Sequence, residues 1–161
     1  LHGGLMTTSQ NEKQYRYDCL YMDIALRISN MSHDTERKVG AVIVKDNNIL
    51  AFGFNGMPAG MTNECKHSSG ATKKEVIHAE ANAICKLARS AGHAEGATLY
   101  STLSPCMDCA KLILQSGIKR FVYCEPYEFD EGILLLHENK VKINHIDRRK
   151  EYGDSAKVSR K

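Results

Sequence analysis

Ser104-Pro105-Cys106-Met107-Asp108-Cys109, read together with His78-Ala79-Glu80 upstream, decides how this chain is understood. Zinc takes Cys thiolates and His nitrogens in a tetrahedron, and a catalytic zinc site uses three protein ligands and keeps the fourth position open. His78, Cys106 and Cys109 make three ligands, and Glu80 stands near enough to His78 to move protons without binding the metal. The other readings are ordinary ones. A lone Cys-x-x-Cys is also a redox pair, and a structural zinc site normally shows four Cys or His ligands in two tight pairs. Here Glu80 occupies the place of a second paired ligand, and Cys65 and His67 are what remains for a fourth. The pattern favours an open, hydrolytic metal site.

The flanking residues build that site. Ser104-Pro105 reads as a helix N-cap followed by Pro in the first turn, and Gly117 reads as the C-terminal stop. Cys106 and Cys109 then share one face of that first turn. The segment from His78 through Ala91 reads as a second helix with its ligand near the start. Two helix N-termini converge on the metal, where their partial positive charge favours thiolates.

Elsewhere the chain alternates helix and strand patterns. Leu20, Ile24, Ile28 and Met31 fall at helical spacing, predicting an amphipathic helix over Tyr17–Met31. Val39–Lys45 and Ile49–Phe54 are strand-like runs joined by Asp46-Asn47-Asn48, a hairpin signal. A loop rich in Gly, Ser, Thr and Asn runs from Asn55 to about Lys74, longer than ordinary connections and so a candidate for function. Strands are expected at Ala97–Leu103, Ile118–Tyr123 and Val141–Ile146, with a short helix near Asp130–Glu138. The order α-β-β-α-β-α-β-α-β predicts a three-layer α/β/α fold with a mixed five-stranded sheet. That domain covers 15–146. Residues 1–14 read as a remnant (Leu1 to Leu5 before a native start at Met6) and a flexible N-terminus, and 147–161 as a basic tail.

Composition bounds the partners. At 161 residues and 42% hydrophobic, the chain suits one domain with a real core. No run approaches the ~18–20 apolar residues of a membrane span, so no membrane partner is expected. Cys19, Cys65, Cys85 and Cys124 show no paired spacing, which favours a reducing, cytoplasmic setting. The net charge of +3 lies wholly in the tail, because residues 1–146 hold 16 Lys or Arg against 16 Asp or Glu. Nucleic-acid enzymes carry a basic face for phosphates. A neutral body therefore favours a small-molecule substrate and no nucleic-acid partner.

Val39-Gly40-Ala41-Val42-Ile43-Val44, Gly53-Phe54-Asn55-Gly56-Met57-Pro58-Ala59-Gly60, His78-Ala79-Glu80-Ala81-Asn82-Ala83-Ile84 and Ser104–Lys111 together resemble the cytidine deaminase-like superfamily. Within it they resemble the deoxycytidylate (dCMP) deaminases, over Tyr17 to Ile146. The resemblance implies zinc-dependent conversion of dCMP to dUMP, a precursor of dTMP, with Glu80 carrying protons at the cytosine ring. It further implies that the Ala79 N–H binds the base O2, the Ser104 carbonyl receives the amino group, and Asn55 binds the 3′-hydroxyl. For the 5′-phosphate it points to the Arg37-Lys38 turn, Lys38 above all, and to Tyr127; an Arg-Lys pair before a strand is equally an ordinary solvated turn. Glu128 departs from relatives that carry a cation there. The same resemblance implies a homohexamer activated by dCTP and inhibited by dTTP, with Mg2+ bound to the triphosphate. Gly56, Met57 and Gly60 would offer backbone amides to it, and Arg89 is an interface or effector candidate or simply an exposed helix arginine. The competing readings are an editing deaminase of tRNA or single-stranded DNA, and a zinc-stapled binding module.

Overall fold

The computed structural model describes residues 7–148; residues 1–6 and 149–161, which include the expected remnant and most of the expected basic tail, lie outside the described residues. The elements run α1 (Thr8–Ser29), β1 (Gly40–Lys45), β2 (Asn48–Phe54), α2 (Ala79–Ala88), β3 (Thr98–Leu103), α3 (Met107–Gln115), β4 (Arg120–Glu125), α4 (Glu131–Glu138) and β5 (Lys142–His145). This is the predicted order.

The sheet order is β2-β1-β3-β4-β5. β1 is antiparallel to both β2 and β3, while β3, β4 and β5 are mutually parallel. The hairpin turn has Asp46 and Asn47 at φ 50° and 58°, the left-handed pair that a tight hairpin demands. The two parallel pairs need crossovers, and α3 and α4 supply them. Because β2 and β3 each oppose β1, they run the same way, so the carboxyl ends of β2, β3 and β4 meet at one rim. The amino end of β1 meets them there.

Burial alternates along β1. Ala41 and Ile43 join Ala83, Leu87, Leu99, Ile113, Phe121 and Leu136 on the face covered by α2, α3 and α4. Val42 and Val44 face Tyr21, Met22, Ala25, Tyr100 and Val122 under α1. A strand buried on both faces reads as a continuous apolar run, and Ala41-Val42-Ile43-Val44 is one. A buried ion pair pins α1 to the sheet. Asp18 accepts from both terminal guanidinium nitrogens of Arg120 at 2.7 and 2.6 Å and from the Tyr100 hydroxyl at 2.7 Å. Burial alone would raise the Asp18 carboxyl, but the bonds from Arg120, Tyr100 and Gln14 outweigh it and hold it below its ordinary value.

Several boundaries differ from expectation. α1 starts about two and a half turns before the expected Tyr17, so residues 8–14 are helical. Thr7 and Gln10 form a reciprocal cap, with the Gln10 N–H on Thr7 Oγ1 and the Thr7 N–H on Gln10 Oε1. α2 stops at Ala88, with Arg89 as its C-cap. Arg148, at the start of the expected tail, is clamped to Asp23 on α1 at 2.8 Å. No helix among the described residues is long and apolar enough to cross a membrane.

α2 lies hard against β2. A Cβ at Gly53 would collide with the Ala79 carbonyl and the Ala83 nitrogen, the first two turns of the helix that carries the metal ligand. Gly53→Ala should cost about 1–3 kcal/mol of unfolding free energy and lower zinc affinity by displacing the start of α2. Urea unfolding and metal titration measure both, and an unchanged midpoint with unchanged affinity would contradict the packing described here.

Candidate active site

The rim where the strand ends meet holds the expected metal ligands, Glu80 and most of the expected substrate residues. Ser104-Pro105-Cys106 leaves β3, Asn55 follows β2, Tyr127 follows β4, and Arg37 precedes β1. α2 delivers His78 from the adjoining face. A cavity of about 470 Å³ opens there, lined by Arg37, Asn55, His78, Ala79, Glu80, Ser104, Cys106 and Tyr127, among others.

Each helix presents its ligand at its first residues. His78 is the N-cap of α2, and Cys106, not Ser104, is the N-cap of α3. The expected Ser-Pro start lies two residues too early. The Ser104 hydroxyl accepts instead from the Tyr127 N–H at 2.6 Å, which ties the loop after β4 to the end of β3. Cys109 falls in the first turn, and Gly117 at φ 81° follows the helix end as the expected stop.

His78 Nδ1 lies 3.4 Å from Cys106 Sγ and 3.5 Å from Cys109 Sγ, and the three ligand atoms all lie within 4.8 Å of one another. A tetrahedral zinc with ordinary Zn–S and Zn–N lengths separates nitrogen from sulfur by about 3.5 Å. The residues fit that ion. Among the described residues this cluster numbers three side chains, and neither Cys65 nor His67 joins it. That is the composition of an open site and tells against a closed structural staple.

Charges at the cluster are arranged for thiolate. The Cys109 thiol, the His78 ring and the Cys109 backbone N–H hold Cys106 down to about 4 against the opposing effect of burial. Cys109, the donor to that thiolate and itself buried, is pushed up. His78 is raised, chiefly by its contact with Cys106. Glu80 is 4% exposed and its carboxyl is raised, first of all by burial. A buried carboxyl whose affinity for protons is raised takes and gives them more readily than an exposed one, the property a proton carrier needs.

The other predicted residues divide. Asn55 is buried, and its side chain already bridges the turn before β1, accepting from the Val39 N–H and donating to the Arg37 carbonyl, both at 2.8 Å. One N–H and one lone pair of that amide remain for a ligand. Ala79 lines the cavity, and its N–H, in the first turn of α2, has no partner within the helix. Tyr127 lies under the Arg37 guanidinium, 5.5 Å from ring centroid to Cζ. Lys38 is exposed and is not among the lining residues; Arg37 takes that place. Gly56, Met57 and Gly60 lie in the loop after β2, and Arg89 ends α2, all outside the lining.

Sequence reading missed several residues of the site. Behind the cavity, Ser101 donates to Glu80 Oε1 at 3.4 Å from the interior of β3, and nothing in a strand pattern distinguishes it. Asp34, Glu36, Lys66 and Thr72 line the cavity itself. Their spacing carries no motif, because the loop after β2 folds back onto the turn before β1.

Residues 15–125 match the family model of the cytidine and deoxycytidylate deaminase zinc-binding region. The chain belongs to this family. It is 39% identical to the deoxycytidylate deaminase of Enterobacteria phage T4 over 178 aligned positions, covering 78% of this chain and 92% of that one. It is 40% identical to the deoxycytidylate deaminase of Mycobacterium phage D29, across 66% of this chain and 93% of that relative. Among solved structures, the dCMP deaminase of cyanophage S-TIM5 in complex with dCMP and dUMP superposes with a TM-score of 0.78 at 38% identity, covering 88% of this chain and all of that one. The chain is thus a hydrolytic deaminase of the dCMP deaminase type.

The cluster predicts that Cys109→Ala weakens zinc binding by more than the roughly 100-fold lost with an outer-shell partner, with the helical signal preserved. Competition with a chromogenic chelator measures it; wild-type affinity in that variant would rule out Cys109 as a ligand.

Proposed function

We propose that this chain converts dCMP and water to dUMP and ammonia. The observation that carries the reading is the burial of Glu80 beside the His78, Cys106 and Cys109 cluster, in a cavity that also holds Asn55, Arg37 and Tyr127. The S-TIM5 relative, bound to dCMP and dUMP, supports the substrate.

Zinc, when bound to that cluster, supplies Lewis-acid activation of water. The chain's own residues do the rest. Glu80 receives one proton of the attacking water at a carboxylate oxygen and passes it to ring N3. It then takes the proton left on the new C4 hydroxyl and gives it to the amino group, which leaves as ammonia as the C4 carbonyl forms. Ser101, through its bond to Oε1, holds that carboxyl in place. The Ala79 N–H binds the base O2, and the Ser104 carbonyl accepts from the amino group. Asn55 offers its remaining amide hydrogen to the 3′-hydroxyl, while its bonds to Val39 and Arg37 keep it from turning away. Arg37, stacked on Tyr127, takes the phosphate role that sequence reading gave to Lys38, because it faces the cavity and Lys38 does not.

Regulation belongs to the same proposal. Activation by dCTP with Mg2+, inhibition by dTTP and assembly as a homohexamer are supported by the resemblance of the loop at Gly56, Met57 and Gly60. The exposure of Arg89 at the end of α2 supports its reading as an interface or effector residue.

Side-by-side ultraviolet assays of dCMP, deoxycytidine, dCTP and a cytosine-containing oligonucleotide should give the highest kcat/KM for dCMP. The dCMP curve should be sigmoidal, moving to lower concentration with dCTP and Mg2+ and to higher with dTTP. Deamination of the oligonucleotide in preference to dCMP would overturn the substrate.

A further inference from the structure

Arg37 and Lys66 are the lysine and arginine side chains that line the cavity among the described residues. Arg37 comes from the turn before β1 and Lys66 from the loop after β2. The Lys66 ammonium donates to Glu36 Oε2 and to Thr72 Oγ1, each at 2.8 Å, and faces Asp34 Oδ2 at 3.6 Å.

The two carboxylates play different parts. Asp34 has a side chain 4% exposed, and its Oδ1 accepts from the Glu36 and Arg37 backbone N–H groups at 2.8 and 3.0 Å. It therefore shapes the turn that presents Arg37 while its other oxygen keeps Lys66 alongside. Glu36 is 66% exposed. An ion pair open to water contributes little, so Glu36 is a weak partner that a better anion displaces. Two cations gathered into a cavity that already contains Glu80 call for an anionic ligand, and Glu36 stands in for one.

We propose that Lys66 is a specificity-determining residue of this site: it exchanges Glu36 for the 5′-phosphate of the nucleotide, with Asp34 holding it and Arg37 in register. The inference rests on reading the cavity as a dCMP site. Lys66 then separates nucleotide from nucleoside, and the exposed Glu36 is the partner it gives up. A loop tie with no ligand role is the alternative, and it makes a different prediction, since a loosened loop harms every substrate.

Lys66→Met should lower kcat/KM for dCMP by about 10- to 100-fold, the range for a lost hydrogen bond to a charged group. The loss should fall on KM, with kcat/KM for deoxycytidine unchanged. Lys66→Arg should restore most of the discrimination, and Glu36→Gln should leave KM for dCMP equal or lower. Inhibition by dUMP against deoxyuridine gives the same comparison where deoxycytidine turnover is slow. Equal losses on both substrates in Lys66→Met, or no loss on either, would overturn this inference while leaving a wild-type preference for dCMP intact. A wild-type enzyme with no preference for dCMP over deoxycytidine would instead overturn the substrate reading, and this inference with it.

Discussion

β2, β3 and β4 point the same way, and the chemistry of this molecule hangs from their carboxyl ends. Antiparallel pairing of β1 with both β2 and β3 enforces that direction, so Asn55, Ser104 and Tyr127 emerge at one rim although they are far apart in the chain. The crevice outside strand carboxyl ends is where open α/β sheets bind ligands. The helices complete it. α3 begins directly after β3, and α2 is pressed onto β2 closely enough that only glycine fits at position 53.

One consequence is electrostatic. His78 and Cys106 are N-caps whose side chains make no capping bond to their own helices. Both stay available as ligands, in the positive field of a helix start. Burying Glu80 in the same place would be costly for an isolated charge. A dication held by the cluster would supply compensating positive charge, because a metal is the largest local charge in such a site. The packing that buries Glu80 thus makes it responsive to protons, and the metal cluster makes its burial tolerable.

Much of this was legible in the residues. The element order, the apolar β1 run, the Asp46-Asn47 turn and the Gly117 stop follow from local periodicity and backbone preference. The ligand triad follows from the coordination chemistry of zinc. Other features depend on contacts that no local pattern records. The start of α1 is set by a Thr7 and Gln10 cap ahead of a polar, exposed stretch in which apolar periodicity is absent. Ser104 looks like a helix cap but spends its hydroxyl on Tyr127, and Cys106 is the N-cap of α3. Arg37 and Lys38 are indistinguishable in sequence, and only the turn shaped by Asp34 decides which faces the cavity. Lys66 meets Asp34 through the folding back of a long loop, which spacing alone does not reveal.

The account turns on Glu80 as the proton carrier beside an intact metal cluster. The most direct measurement is dCMP turnover by Glu80→Gln with zinc counted in the same sample, since Gln keeps the shape and the bond from Ser101 while removing the exchangeable proton. The account predicts about one zinc per chain and a fall in kcat of at least about 100-fold, the lower range for lost general acid–base catalysis. Wild-type turnover by that variant with its zinc in place would contradict it.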